Sequence, residues 1–144
     1  MTTSNYPVNA YLLFNGRCGE AIEFYEKTLG AKAFMTMHYK DAPAEVCQQM
    51  MPPGWENKVM HARMQIGNAT VMAADGPCEG EHGFKGFSMS LTAPNPEEAE
   101  RLFKALSDGG KVSMPLQKTF FSPAFGMVAD KFGVPWMIYV EGHQ

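Results

Sequence analysis

No stretch of this sequence carries the ~20 consecutive apolar residues that a helix needs to cross a bilayer, so no membrane partner is expected. The opening residues, Met-Thr-Thr-Ser-Asn-Tyr-Pro, lack the basic and then apolar regions of a secretory signal, and a cytoplasmic protein is expected. Cysteine is scarce. Cys18, Cys47 and Cys78 are odd in number and far apart, which argues against a disulfide framework and against a CxxC site. Positive charge is not in surplus either: 12 Lys and Arg stand against 15 Asp and Glu, for a formal net charge of −3. Nothing in that balance builds a basic surface for phosphates, so nucleic acid is not an expected partner. The GxSxG elbow, the P-loop and the HExxH pair are all missing.

What is present is a chain of 144 residues, 45% hydrophobic, which suits one globular domain with a real core. Twelve methionines stand out, because Met fills irregular cores and also lines adaptable pockets. Residues 7–14 (Pro-Val-Asn-Ala-Tyr-Leu-Leu-Phe) predict a strand ended by Asn15-Gly16. From Cys18 to Leu29 the period changes to that of a helix, with Ala21, Phe24, Tyr25 and Leu29 on one stripe and Gly30 as its stop. A strand is predicted at 32–39, then a proline-containing excursion over 40–58, then a hairpin of 59–66 and 69–74 across Gly67-Asn68.

After a glycine-rich acidic connection over 75–86 the same order begins again. A strand is expected at 87–93, and Asn95 caps a helix with Pro96, Glu97 and Glu98 in its first turn. Ala99, Leu102, Phe103 and Leu106 form its buried stripe, Gly109-Gly110 stop it, and strands follow at 111–117, 125–130 and 136–140. Ala21, Phe24 and Tyr25 match Ala99, Leu102 and Phe103 at one constant offset, which marks an internal repeat. The chain is therefore expected to be one domain over 1–144, with one module at about 7–74 and a second at about 87–141.

Several placed segments resemble a known family. Glu20-Ala-Ile-Glu-Phe-Tyr-Glu-Lys-Thr-Leu-Gly-Ala is similar to the helix that opens vicinal oxygen chelate modules, and Asp130-Lys-Phe-Gly-Val-Pro-Trp-Met-Ile to their closing hairpin. The stretch from Thr119-Phe-Phe through Phe125-Gly-Met-Val-Ala-Asp resembles the PhnB branch of this glyoxalase, bleomycin-resistance and dioxygenase superfamily. The resemblance implies an α+β fold of two tandem βαβββ modules, whose curled mixed sheets enclose a cavity, and usually a homodimer. It implies no single reaction, since the superfamily holds metal-dependent isomerases and dioxygenases beside metal-free proteins that sequester drugs. Some relatives carry a demethylubiquinone methyltransferase label, but no glycine-rich strand-to-helix loop for a nucleotide-like methyl donor is evident here.

In the metal enzymes of that superfamily, His and Glu ligands come from the first and last strands of each module. Carried over by strand alternation, those places fall at Tyr11 (or Asn9), Met72, Ser88 (or Phe87) and Met137. Hydroxyls and thioethers cannot stand in for a His/Glu set, because thioether suits copper(I) better than zinc or iron(II). No cofactor is therefore expected. The alternative is a metal-dependent glyoxalase-like lyase or isomerase using a relocated ligand set and a divalent metal.

His61 and Arg63 alternate with Met60, Ala62, Met64 and Ile66 in the third strand, so they face either a cavity or a solvated or dimer-facing row. His38, on the second strand, shares too little sequence context with His61 to be paired with it as a ligand, and His82, His143 and Glu141 read as solvated. Cys78 is flanked by acid, which disfavours a thiolate. Cys18 lies near a helix N-terminus, where the dipole favours one, against a plain structural position. Phe120, Phe121, Phe125, Trp136 and Tyr139 gather aromatics near the C-terminus. The expected function is binding of a small organic molecule in a mostly apolar cavity lined from Tyr11, His61, Arg63, Met72, Ser88, Phe121, Met137 and Tyr139. Arg63 would hold an anionic or carbonyl group, and His61 would orient it or act as acid or base. The connection at 75–87 and the excursion at 40–58 are candidate lids by composition.

Overall fold

The computed structural model describes residues 6–45, 51–76 and 83–142. The chain divides into two compact units, Met1–Gly80 and Glu81–Gln144, and each repeats the order strand, helix, three strands. This is the α+β, two-module βαβββ architecture expected from the repeat. Cys47, Cys78, His82 and His143 lie outside the described residues.

In the first unit, β1 (Tyr11–Leu13), α1 (Cys18–Leu29), β2 (Lys32–His38), β3 (Val59–Ile66) and β4 (Ala69–Ala74) make a sheet of order β1-β4-β3-β2. β1 runs parallel to β4, and the other pairs are antiparallel. The strand β1 is shorter than the predicted 7–14 because β4 alone partners it, and Pro7 has no N–H to extend a ladder. The bonds from Met72 N to Ala10 O and from Phe14 N to Ala74 O, both 2.9 Å, mark its ends.

The helix α1 buries Ala21, Ile22, Phe24 and Tyr25, and Gly30 closes it at φ 66, a left-handed conformation that glycine takes without strain. Beneath it lie Leu12, Ala62, Met64, Val71 and Ala73, all buried. The excursion at 40–58 starts with a single 3-10 turn at Tyr39–Asp41 and is tied down at its base. Tyr39 is buried, donates its hydroxyl to Gly76 O, and meets the Trp55 ring edge-on at 6.1 Å.

The second unit consists of β5 (Met89–Ala93), α2 (Pro96–Ser107), β6 (Lys111–Gln117), β7 (Phe125–Ala129) and β8 (Pro135–Val140), in the order β5-β8-β7-β6. Here β5 is parallel to β8. The Asn95 side chain accepts from Glu98 N at 2.8 Å, so α2 begins where the capping residue predicted. Ala99, Leu102 and Leu106 are buried with Val128, Trp136, Ile138 and Val140. Phe103, half-buried, lies over Gly126 of β7. A Cβ there would come within 2.7 Å of the Phe103 ring and 2.9 Å of Leu116 Cα, so only glycine lets helix and strand approach this closely.

Besides β1, β2 stops one residue early at His38 and β8 starts one residue early at Pro135, and two further boundaries differ from expectation. β5 begins at Met89 and not Phe87, because the register that pairs it to β8 starts with Met89 opposite Trp136. β7 ends at Ala129, because Asp130 turns its side chain inward to organise the following hairpin.

Candidate functional site

In a sheet, residues registered side by side share a face, and successive residues alternate. The first unit places Tyr11, Met72, Arg63 and Met35 in one row across all four strands. The adjoining row of Leu12, Ala73 and Ala62 is buried, so the Tyr11 row lies on the face away from it. His61 joins the Tyr11 face one step along β3, registered with Met37. All four residues expected from this unit, Tyr11, His61, Arg63 and Met72, therefore share one face. Arg63 is exposed, Met72 half-buried, and Tyr11 44% exposed, which leaves the row accessible within its own unit.

The Tyr11 hydroxyl lies 2.8 Å from His61 Nδ1, with ring centroids 5.5 Å apart. Burial, and then the neighbouring Cys18 thiol, raise the Tyr11 pKa. The phenol thus keeps its proton, and it donates to Nδ1 when the imidazole carries its proton on Nε2. His38 belongs to a different group: its backbone N–H donates to Asp41 Oδ2 at 2.9 Å, and its ring is 3.6 Å from that same carboxyl oxygen.

Cys18 is buried at the start of α1, whose N-cap residue, Arg17, supplies no side-chain acceptor. Asp75, itself 1% exposed, takes that part from outside the helix: its Oδ1 accepts from Cys18 N at 2.6 Å and its Oδ2 from Val59 N at 2.6 Å. Burial, followed by the Asp75 charge, pushes the Cys18 thiol up to about 12, so the helix dipole does not produce a nucleophile here. With Cys47 and Cys78 changed to serine, Cys18 should resist a thiol-labelling disulfide at pH 8 and react once urea unfolds the chain. Labelling of the native protein at the unfolded rate would contradict this. An unfolded thiol ionises near pH 8.5 while the folded one keeps its proton. Stability should therefore fall between about pH 9 and 12, with a limiting slope of about 1.4 kcal/mol per pH unit for this one group. Cys18→Ala should remove that contribution.

The second unit repeats the arrangement with different chemistry. Ser90, Met137, Met127 and Met114 form one row across β5, β8, β7 and β6. Thr92, Tyr139, Phe125 and Gln117 form the parallel row on the same face. Phe121 stacks on Tyr139, centroids 6.4 Å apart and planes 19° apart, and meets Phe125 edge-on at 5.1 Å. Met137, Tyr139 and Phe121 are thus brought to one surface. Ser88 is not in the strand. Its alternation is that of Ser90, but Ser90 is the residue registered with Met137. Trp136 is buried on the opposite face, with its indole N–H donated to Asp130 Oδ2 at 3.0 Å.

An open cleft of ≈ 490 Å³ adjoins this surface, lined by Lys118, Phe120, Phe121, Pro123, Tyr139 and Gly142 among others. Residue alternation could find Met72 and Met137. Met35, Met114 and Met127 needed the cross-strand register, which no single strand carries.

A family model described as 3-demethylubiquinone-9 3-methyltransferase matches residues 7–139. Protein YjdN of Escherichia coli K12 is 36% identical over 143 residues, covering 96% of this chain and 97% of its own. The structure of protein PA1353 from Pseudomonas aeruginosa is similar at 41% identity and TM-score 0.83, over 95% of this chain and 98% of that one. A PhnB protein from Bacillus cereus is 26% identical at TM-score 0.79, over 94% and 99%. The chain belongs to the PhnB-like family. The same fold recurs in a glyoxylase/bleomycin resistance protein/dioxygenase domain from Frankia at 13% identity and TM-score 0.64, over 97% and 95%, a likeness of fold alone.

The metal enzymes of the superfamily that this sequence resembles raise the question of a divalent metal. In this PhnB-like chain Tyr11 stands beside Met72 in one unit, and in the other the residue beside Met137 is Ser90, not the carried-over Ser88. Phenol, hydroxyl and thioether do not fit a zinc, iron(II) or nickel centre. Among the described residues, no group of three His, Cys, Asp or Glu side chains comes together to replace them. No step is therefore derived through a metal.

Proposed function

We propose that this PhnB-like protein binds a small organic molecule bearing a carboxylate or carbonyl group on the open face of its first sheet. The observation that carries the reading is the row Tyr11–Met72–Arg63–Met35, in which a guanidinium stands between two thioethers on an accessible surface. Thioethers adapt to the shape of an apolar body, and the guanidinium pairs two-pronged with an anionic end. His61, held by Tyr11, offers Nε2–H as a second donor or as an acid/base group. The Met137, Tyr139 and Phe121 surface of the second unit has the same apolar character. A homodimer and a cytoplasmic location belong to the same reading, and a one-chain mass by light scattering would remove the first.

Screening organic acids by thermal shift should yield ligands that stabilise the protein. Arg63→Ala should then weaken the best of them by at least tenfold, about 1.4 kcal/mol, and His61→Ala by less. Both side chains are at least partly accessible, so both variants should fold. Unchanged affinity and turnover in the two variants would overturn these roles.

A further inference from the structure

The turn after β6 holds two aromatic rings in the open. Phe120 is fully exposed and Phe121 is 41% exposed, and their rings meet edge-on at 5.2 Å. Apolar rings displayed on a mobile loop would be unremarkable, but this turn is built to be rigid. The Thr119 hydroxyl accepts from Phe121 N at 3.3 Å and from Ser122 N at 3.1 Å, while Thr119 N donates to Ser122 O at 2.9 Å. Ser122, buried, places its hydroxyl 2.7 Å from Ala124 O and 2.5 Å from Val140 O, which fastens the turn to the end of β8. At Gly142 a Cβ would stand 2.7 Å from Phe121 O, so the chain beyond β8 runs close against the turn.

Together these pieces wall the ≈ 490 Å³ cleft. Its volume falls within the ~300–1,000 Å³ of small-molecule sites. Phe120, Phe121 and Tyr139 give it aromatic walls, Thr119 and Ser122 neutral polar groups, and Lys118 the one formal charge among its lining residues. Stacked rings select a flat π-system, and an ammonium at the rim selects an anionic substituent. Because the turn's geometry is fixed by its own hydrogen bonds, little ordering cost is left for binding.

We propose that this cleft is a binding site for a flat aromatic anion, with Phe120 closing on one face of the ring system and Lys118 meeting the charge. It shares with the proposed function only the reading of Phe121 and Tyr139 as ligand-facing. It can fail or stand apart from the Arg63 face.

The test uses the fluorescent aromatic sulfonate anilinonaphthalene sulfonate, titrated into the native full chain. Saturable binding is expected, weaker at high ionic strength. Phe120→Ala should weaken it about tenfold and Lys118→Gln several-fold, since tenfold corresponds to about 1.4 kcal/mol. Both residues are exposed, so neither variant should disturb folding, and Phe34→Ala, which removes another exposed phenylalanine, should bind as the wild type does. Wild-type affinity in both Phe120→Ala and Lys118→Gln would overturn the cleft assignment, as would no saturable binding at all. Loss of binding in Arg63→Ala but not in Phe120→Ala would also overturn it, while supporting the first-sheet site.

Discussion

Asp130→Ala is expected to destabilise the protein by about 4 kcal/mol, because each buried N–H left without a partner costs about 1–3 kcal/mol. Asp130 is 3% exposed, and its carboxyl oxygens serve three donors at once. Oδ1 accepts from Phe132 N at 2.9 Å and from Val134 N at 3.1 Å, and Oδ2 accepts from the Trp136 indole at 3.0 Å. The backbone closes the same turn, with Gly133 N donating to Asp130 O at 2.8 Å and Asp130 N to Val134 O at 2.9 Å. Gly133 takes φ 89 there, which the absence of a Cβ permits. The closing motif Asp-Lys-Phe-Gly-Val-Pro-Trp is thus a single knot whose first and last residues bond each other.

The three costs act on one turn and do not add in full, which is why about 4 kcal/mol is expected and not the sum. Against the ~5–15 kcal/mol that a domain has in total, this would be a large share. Urea unfolding followed by Trp fluorescence measures it directly. Asp130→Asn should cost about half as much, since one oxygen can still serve the two backbone donors while the amide N–H₂ opposes the indole N–H. A loss below about 1 kcal/mol in Asp130→Ala would show that water or rearrangement satisfies these donors.

The second large effect is expected at Asp75, where Asp75→Ala should cost about 3 kcal/mol, from two orphaned backbone donors, one of which is the capped N–H at the start of α1. The two 2.6 Å bonds join the first residue of α1 to the first of β3, and Asp75 itself directly follows β4. One side chain therefore holds three elements. Hydrogen exchange separates this from a general loss of stability. The Cys18 and Val59 amides should lose protection beyond the global change, whereas the amides of α2 in the other unit should follow it. Equal loss at all sites would contradict a local role. Burial is the larger cause of the raised Cys18 pKa, so its thiol should stay poorly reactive in this variant as long as α1 stays packed.

Neither aspartate could be singled out from sequence as an internal acceptor. Asp75 opens a glycine-rich acidic connection, and Asp130 reads as the last residue of a strand. A buried carboxyl and a solvated one are the same letter, and only the donors converging on it tell them apart. The β3 pattern was legible for the opposite reason. Ala62 and Met64 are buried while Arg63 is exposed, because alternation along one strand is a local property. The helix limits were legible too, through Asn95, Gly30 and the repeated apolar stripes. Register is different: the choice between Ser88 and Ser90 beside Met137, and the rows that gather Met35, Met114 and Met127, depend on how strands slide against one another. A chain read one strand at a time does not contain that.

In the proposed function an organic ligand is held by the Arg63 face and not through a divalent metal. This is tested most directly by calorimetric titration of the best thermal-shift ligand into untreated and chelator-treated protein, with Arg63→Ala beside them. The same affinity is expected before and after chelation, with a loss of at least tenfold in Arg63→Ala. Binding that vanishes on chelation and returns with one equivalent of zinc, nickel or manganese would contradict it.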